Sequence, residues 1–200
     1  GCPMKIQEIG TKVVWDFNPR QDRVVTLSSR IAMLAQYPAR REKPMMFLCI
    51  GTDTIVGDVL GPLVGTNLKK MLGSDLQVWG TLEHPVDATN VQQTVEELRE
   101  EFPDAFVIAV DASFSPFEER KGLVTLSIGG LQPGAGTGKD FPEVGDFAIR
   151  GIVAGGSNAS LLDSNIRLAD ITVQADFIAK SLYRAQQSLI SKSNYRQVAV

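Results

Sequence analysis

Met46-Phe47-Leu48-Cys49-Ile50-Gly51-Thr52-Asp53-Thr54-Ile55-Val56-Gly57-Asp58-Val59-Leu60-Gly61-Pro62 reads as a buried strand, a loop and the start of a helix. The unbroken apolar run 46–50 lacks the alternation of a half-exposed strand and fits one covered on both faces. Pro62 has no donor N–H, so it belongs in the first turn of the following helix, which must begin close to Asp58. Val59, Leu60, Leu63, Val64, Leu68, Met71 and Leu72 then recur at helical spacing over about 59–72. A second apolar strand, Phe106-Val107-Ile108-Ala109-Val110, runs directly into Asp111. In an open α/β sheet, ligands bind at the carboxyl ends of the strands near the switch in strand order. Two strands that each deliver an aspartate to that edge point to a carboxylate site.

Outward from this pair the chain alternates. A strand is expected at about 76–82, a helix at 88–101, a strand at 105–111 and further strands at 123–128 and 147–153. A long helix is expected at 159–190, carrying Leu161, Leu162, Ile166, Ile171, Phe177, Ile178 and Leu182. The strands 123–128 and 147–153 have no helix between them and should pair antiparallel near one side of a mostly parallel sheet. The Gly- and Pro-rich stretch 129–145 must be a long loop. Residues 1–44 differ in character: Val24, Leu27, Ile31 and Leu34 give a helix, and Pro38 and Pro44 bracket a polar linker. They read as a helical extension packed on a main α/β domain of residues 45–200.

The chain of 200 residues, 44% hydrophobic and 22% charged, suits one soluble domain. A net charge of −3 argues against a nucleic-acid footprint, and Arg40-Arg41-Glu42-Lys43 is the only dense basic run. No stretch reaches the ~18 consecutive apolar residues of a membrane span, and no signal peptide is visible, so a cytoplasmic protein is expected. Cys2 and Cys49 make no disulfide framework. One histidine and two cysteines, without a paired-cysteine motif, argue against a structural zinc site, and no cofactor is implied. A homo-oligomer is compatible with this composition.

Asp58 and Asp111 lie two strand-helix units apart, so both reach one crevice. Two neighbouring carboxylates do not both ionise cheaply; one keeps a proton while the other can take one from water. The same pair could hold a divalent metal. The plain structural alternative is that Asp58 caps a helix and Asp111 ends a strand. Asp53 could be a third acid or a self-bonded turn residue. His84, in Thr81-Leu82-Glu83-His84-Pro85, lies past a strand end on the same edge and could be an acid/base, a ligand or a surface residue. Pro133-Gly134-Ala135-Gly136-Thr137-Gly138-Lys139-Asp140 fails the phosphate-loop pattern, with Pro133 and Asp140 in the wrong places. It suits a cover over the site, from which Lys139 could meet a substrate carboxylate. Gly155-Gly156-Ser157-Asn158 could offer free N–H groups to an anion at a helix start, or be a capped turn. No G-x-S-x-G elbow is present.

Ile50-Gly51-Thr52-Asp53 with Gly57-Asp58-Val59-Leu60-Gly61-Pro62-Leu63-Val64-Gly65 resembles the YyaC-type sporulation family (DUF1256). So do Trp79-Gly80-Thr81-Leu82, Val110-Asp111-Ala112, Leu131-Gln132-Pro133-Gly134, Val144-Gly145-Asp146 and Gly151-Ile152-Val153, over about residues 45–182. The resemblance extends to spore germination proteases and, more distantly, to hydrogenase maturation endopeptidases. It implies a three-layer α/β/α sandwich of the phosphorylase/hydrolase-like type. It also implies an aspartic-type endopeptidase acting on a peptide or protein, with Asp58 and Asp111 as the catalytic acids. Gly51, Thr52, Asp53, Gly57, His84 and Lys139 would shape the substrate crevice. The nickel-binding enzymes of the wider group use a histidine downstream of the second aspartate; here none follows Asp111.

Overall fold

The computed structural model describes residues 6–9, 12–37, 43–74, 77–133 and 142–198. Seven strands form one sheet: β1 (Ile6–Ile9), β2 (Lys12–Phe17), β3 (Met45–Cys49), β4 (Val78–Trp79), β5 (Phe106–Ser115), β6 (Val124–Ile128) and β7 (Phe147–Gly155), in the order β1-β2-β6-β7-β5-β3-β4. The strands β7, β5, β3 and β4 are parallel, whereas β7 with β6, β6 with β2 and β2 with β1 pair antiparallel. The helices are α1 (Val24–Ala35), α2 (Leu60–Leu72), α3 (Val91–Glu101) and α4 (Leu168–Val198).

Alternate residues of each strand feed opposite faces. Phe47, Ile108, Val110, Leu126, Phe147 and Ile149 join the core that α1, α2 and α4 cover. Met46, Leu48, Ile50, Val107 and Ala109 face the other way, where Val91 and Leu98 of α3 complete a second core. The result is a three-layer α/β/α sandwich. Every residue of β3 is buried, as a strand covered on both faces requires.

Helix α2 starts at Leu60 with Pro62 in its first turn and stops at Gly73, whose φ of +66° is the left-handed conformation that glycine adopts at low cost. The antiparallel pairing of β6 with β7 agrees with the sequence. The expected helix in residues 1–44 is α1; the structure adds β1 and β2, which extend the sheet beyond β6 through the register Phe17↔Val124. Trp15 and Phe17 bury themselves in the same core as α1.

Two boundaries differ from the sequence expectation. Strand β4 is two residues long, because Gly80, with φ +99°, turns so close to β3 that a Cβ there would lie 1.9 Å from the Cys49 carbonyl oxygen. The long helix begins at Leu168 and not at 159. Before it, Ser160 and Asp163 accept bonds from the N–H groups of Leu162 and Asn165 at 3.1 and 2.9 Å. Such local side-chain bonds compete with helix formation. Gly155–Asn158 therefore leads into turns, and the anion site considered at a helix start there does not form.

Candidate functional site

After β3 the chain runs through α2 to β4 on one side; after β5 it crosses to β6 on the other. Strands β3 and β5 are neighbours, so their carboxyl ends form the crevice of the switch point. Asp58 and Asp111 stand on either side of it.

Asp58 closes a single tight helical turn, Val56–Asp58. Gly51 makes that turn fit: its backbone, at φ +142°, is so near the turn that a Cβ would lie 2.1 Å from the Asp58 carbonyl oxygen. The Thr52 N–H donates to that oxygen at 3.1 Å, and the Gly51 N–H donates to Val86 at 2.8 Å. Gly57 is in similar contact with the chain after β7, because a Cβ there would meet the Leu161 carbonyl oxygen at 2.0 Å. Both glycines thus shape the loop through their backbone.

The structural alternatives for the two acids do not hold. Helix α2 is capped at Val59 with no side-chain bond, so the Asp58 carboxylate is not its cap. Asp111 does not end its strand; β5 continues to Ser115, and the Asp111 carboxylate accepts the Ala112 N–H at 2.8 Å.

Burial raises the Asp58 carboxyl to about 6, with the Thr52 amide opposing and the charge of Asp87 adding to the rise. Asp111 is pushed well above the usual carboxylate range, first by burial of its carboxyl and then by the charge of Asp58. The Ala112 amide and Arg150 oppose that rise. Near neutral pH the pair therefore carries one proton, on Asp111, and Asp58 is ionised.

Two neighbours of the pair were not singled out from the sequence. Asp87 arrives because Ile50 and Val86 form a parallel bridge, which lays 86–87 beside the loop after β3. Its carboxylate takes the Thr89 N–H and hydroxyl at 2.8 and 2.6 Å, a turn that opens α3. Arg150 stands opposite Asp111 in the β5–β7 register and donates to Ser127 Oγ at 3.1 Å. An arginine inside an otherwise apolar run, Phe147-Ala148-Ile149-Arg150, was the available signal.

The remaining candidates separate. Thr52 bonds Thr54 Oγ1 at 3.0 Å beside the exposed Asp53, so this stretch is a self-bonded turn at the rim. His84 lies in a turn with Thr81, in a groove lined by Lys69, Trp79, Thr81 and Glu101, and its side chain is exposed. Lys139 lies outside the described residues. Cys49 is a buried thiol pushed up to about 12, which leaves it inert. Among the described residues, no three His, Cys, Asp or Glu side chains converge as a metal-ligand set, and no helix is long and apolar enough to cross a membrane.

Fold and crevice together define an open α/β sandwich with a singly protonated carboxylate pair at its switch point. The chain belongs to the family described as "Protein of unknown function (DUF1256)", whose model matches residues 21–181. It is 40% identical over 156 residues to "Uncharacterized protein YyaC" of Bacillus subtilis (strain 168), covering 78% of this chain and 73% of that protein. The match begins at residue 21, so α1 lies within the family region.

Proposed function

We propose that this protein is an aspartic-type hydrolase of peptide bonds, with Asp58 as general base and Asp111 as general acid. The observation that carries this reading is a pair of enclosed carboxylates, from two strands at the switch point, that share one proton and serve neither helix cap nor strand end. Asp58 takes a proton from water as its oxygen attacks the carbonyl carbon, while Asp111 gives its proton to the carbonyl oxygen. Collapse of the tetrahedral intermediate returns a proton to Asp111, and the departing amine takes the one held by Asp58. The chemistry closes without a metal.

A peptide or protein substrate suits the rim. Ile55 and Val56 after β3, Phe114 and Phe117 on and after β5, and Leu162 after β7 are large apolar side chains exposed on the same edge. Such a cluster marks a macromolecular contact. It equally fits a second reading, a binding protein that keeps the crevice without turnover.

Unfolded casein incubated with the wild type, Asp58→Asn and Asp111→Asn, with and without a chelator, separates these. New N-termini from the wild type alone, unaffected by the chelator and rising as pH passes about 6, are expected. Loss on chelation would replace the dyad by a metal mechanism. Binding of casein without cleavage by any form would leave the binding reading.

A further inference from the structure

Arg150 is the one charged group on this face that the aspartate chemistry does not use. The strand registers place Asp16 of β2, Thr125 of β6, Arg150 of β7 and Asp111 of β5 in a single row. Residues paired across strands share a face, so the four side chains stand on the side of the sheet where Val107 and Ala109 lie. At one end of the row Asp16 is already neutralised by Arg120 at 2.7 Å, with both side chains mostly buried. Arg150 is tied to Ser127, which is 2% exposed, by the 3.1 Å bond from Nη1. The tether holds the guanidinium at the other end of the row, facing Asp111.

The charged groups around Arg150 come from several elements. Asp111 lies on β5, and Glu143 on the segment before β7 also acts on Arg150. Asp58 lies across the crevice and is coupled to Asp111, and Asp87 at the start of α3 is coupled to Asp58. Arg120 is engaged by Asp16, which leaves Arg150 as the cation beside the pair. An arginine stays charged even when desolvated, so its field acts across the whole working pH range.

We propose that Arg150 is the positioning residue of this site: tethered to Ser127, it holds a fixed positive charge opposite Asp111 and governs when Asp111 releases its proton. The inference rests on the hydrolase reading for its use, but not for its test. In that reading Asp111 must give up a proton in every turnover. A carboxyl this enclosed, without a facing cation, would hold its proton too tightly to act as an acid. Arg150 is the group on the page that counters this.

Selective carbon labelling of the aspartate carboxyls lets each be titrated by NMR without any substrate. In Arg150→Gln, Asp111 is expected to titrate at higher pH than in the wild type, while Asp58 stays near about 6. Ser127→Ala should move Asp111 in the same direction by less. An unchanged Asp111 titration in a folded Arg150→Gln overturns the proposal. If that variant does not fold, Arg150→Lys decides, because lysine lacks the planar fork that Ser127 holds; an unmoved Asp111 there overturns it as well. A shifted Asp111 in a protein that never cleaves casein would keep Arg150 in this role and remove the hydrolase reading. Where cleavage is seen, Arg150→Gln should lower kcat by about tenfold or more, with the alkaline limit of the pH profile moved upward.

Discussion

The two halves of the sheet obey different rules. In β3 and the first part of β5, all residues from Met45 to Cys49 and from Phe106 to Val110 are buried, and helices or packed segments cover both faces. In β2 and β6 only one face is apolar: Trp15, Phe17, Val124 and Leu126 enter the core, whereas Asp16, Thr125 and Ser127 face the other way. Asp111 and Arg150 stand where the regimes meet. A carboxylate pair needs enclosure to hold a proton and polar neighbours to keep its charge tolerable. Only the seam between an apolar half and a polar half supplies both.

The seam itself should be the easiest part to break. Asp111→Asn or Asp58→Asn keeps shape and removes the proton traffic, with an expected loss of about 100-fold or more in peptide hydrolysis. Far-UV circular dichroism unchanged from the wild type would show that chemistry and not folding was lost.

In the apolar half, Leu60 of α2 is fully buried and lies against Gly151, where a Cβ would come within 2.3 Å of its Cδ2. Leu60→Ala opens a cavity in a layer with no slack and should cost about 2–5 kcal/mol in denaturant unfolding. Gly51→Ala tests the loop that holds Asp58: with φ at +142° and the Asp58 carbonyl oxygen 2.1 Å from the new Cβ, the turn must shift. A loss of about 1–3 kcal/mol from the strained backbone is expected, with a fall in hydrolysis as Asp58 leaves its place.

The smallest effect runs opposite in sign to ordinary mutations. Asp58 and Asp111 keep their protons in the folded chain at pH values where the unfolded chain, with carboxyls near ~4, has lost them. Folding thus takes up protons, and the stability drawn from these groups falls as pH rises from about 4 through the Asp58 value of about 6. Asp111→Asn, which removes a carboxyl that resists ionisation, should raise Tm at pH 7 relative to the wild type and change it little at pH 4. A lower Tm at pH 7 would mean that the Asp111 charge is compensated in the fold.

How far the chain could be read follows from the range of the forces involved. The apolar strands, the helix start at Pro62, and the delivery of Asp58 and Asp111 to one edge were legible because each depends on local periodicity and strand polarity. The long helix was placed too early because Leu161, Leu162 and Ile166 keep helical spacing while Ser160 and Asp163 bond their own turns. Strands β1 and β2 were not read because Val13, Val14 and Trp15 become a strand through pairing with β6, more than one hundred residues away in sequence.

The sequence by itself determined the sandwich, the polarity of its strands and the two acids, through patterns repeated every two or four residues. Only the tertiary structure decided their neighbours: Asp87 through the Ile50–Val86 bridge and Arg150 through the β5–β7 register. Register between distant strands is set by packing of the whole sheet, and a shift of one residue would have turned Arg150 to the opposite face.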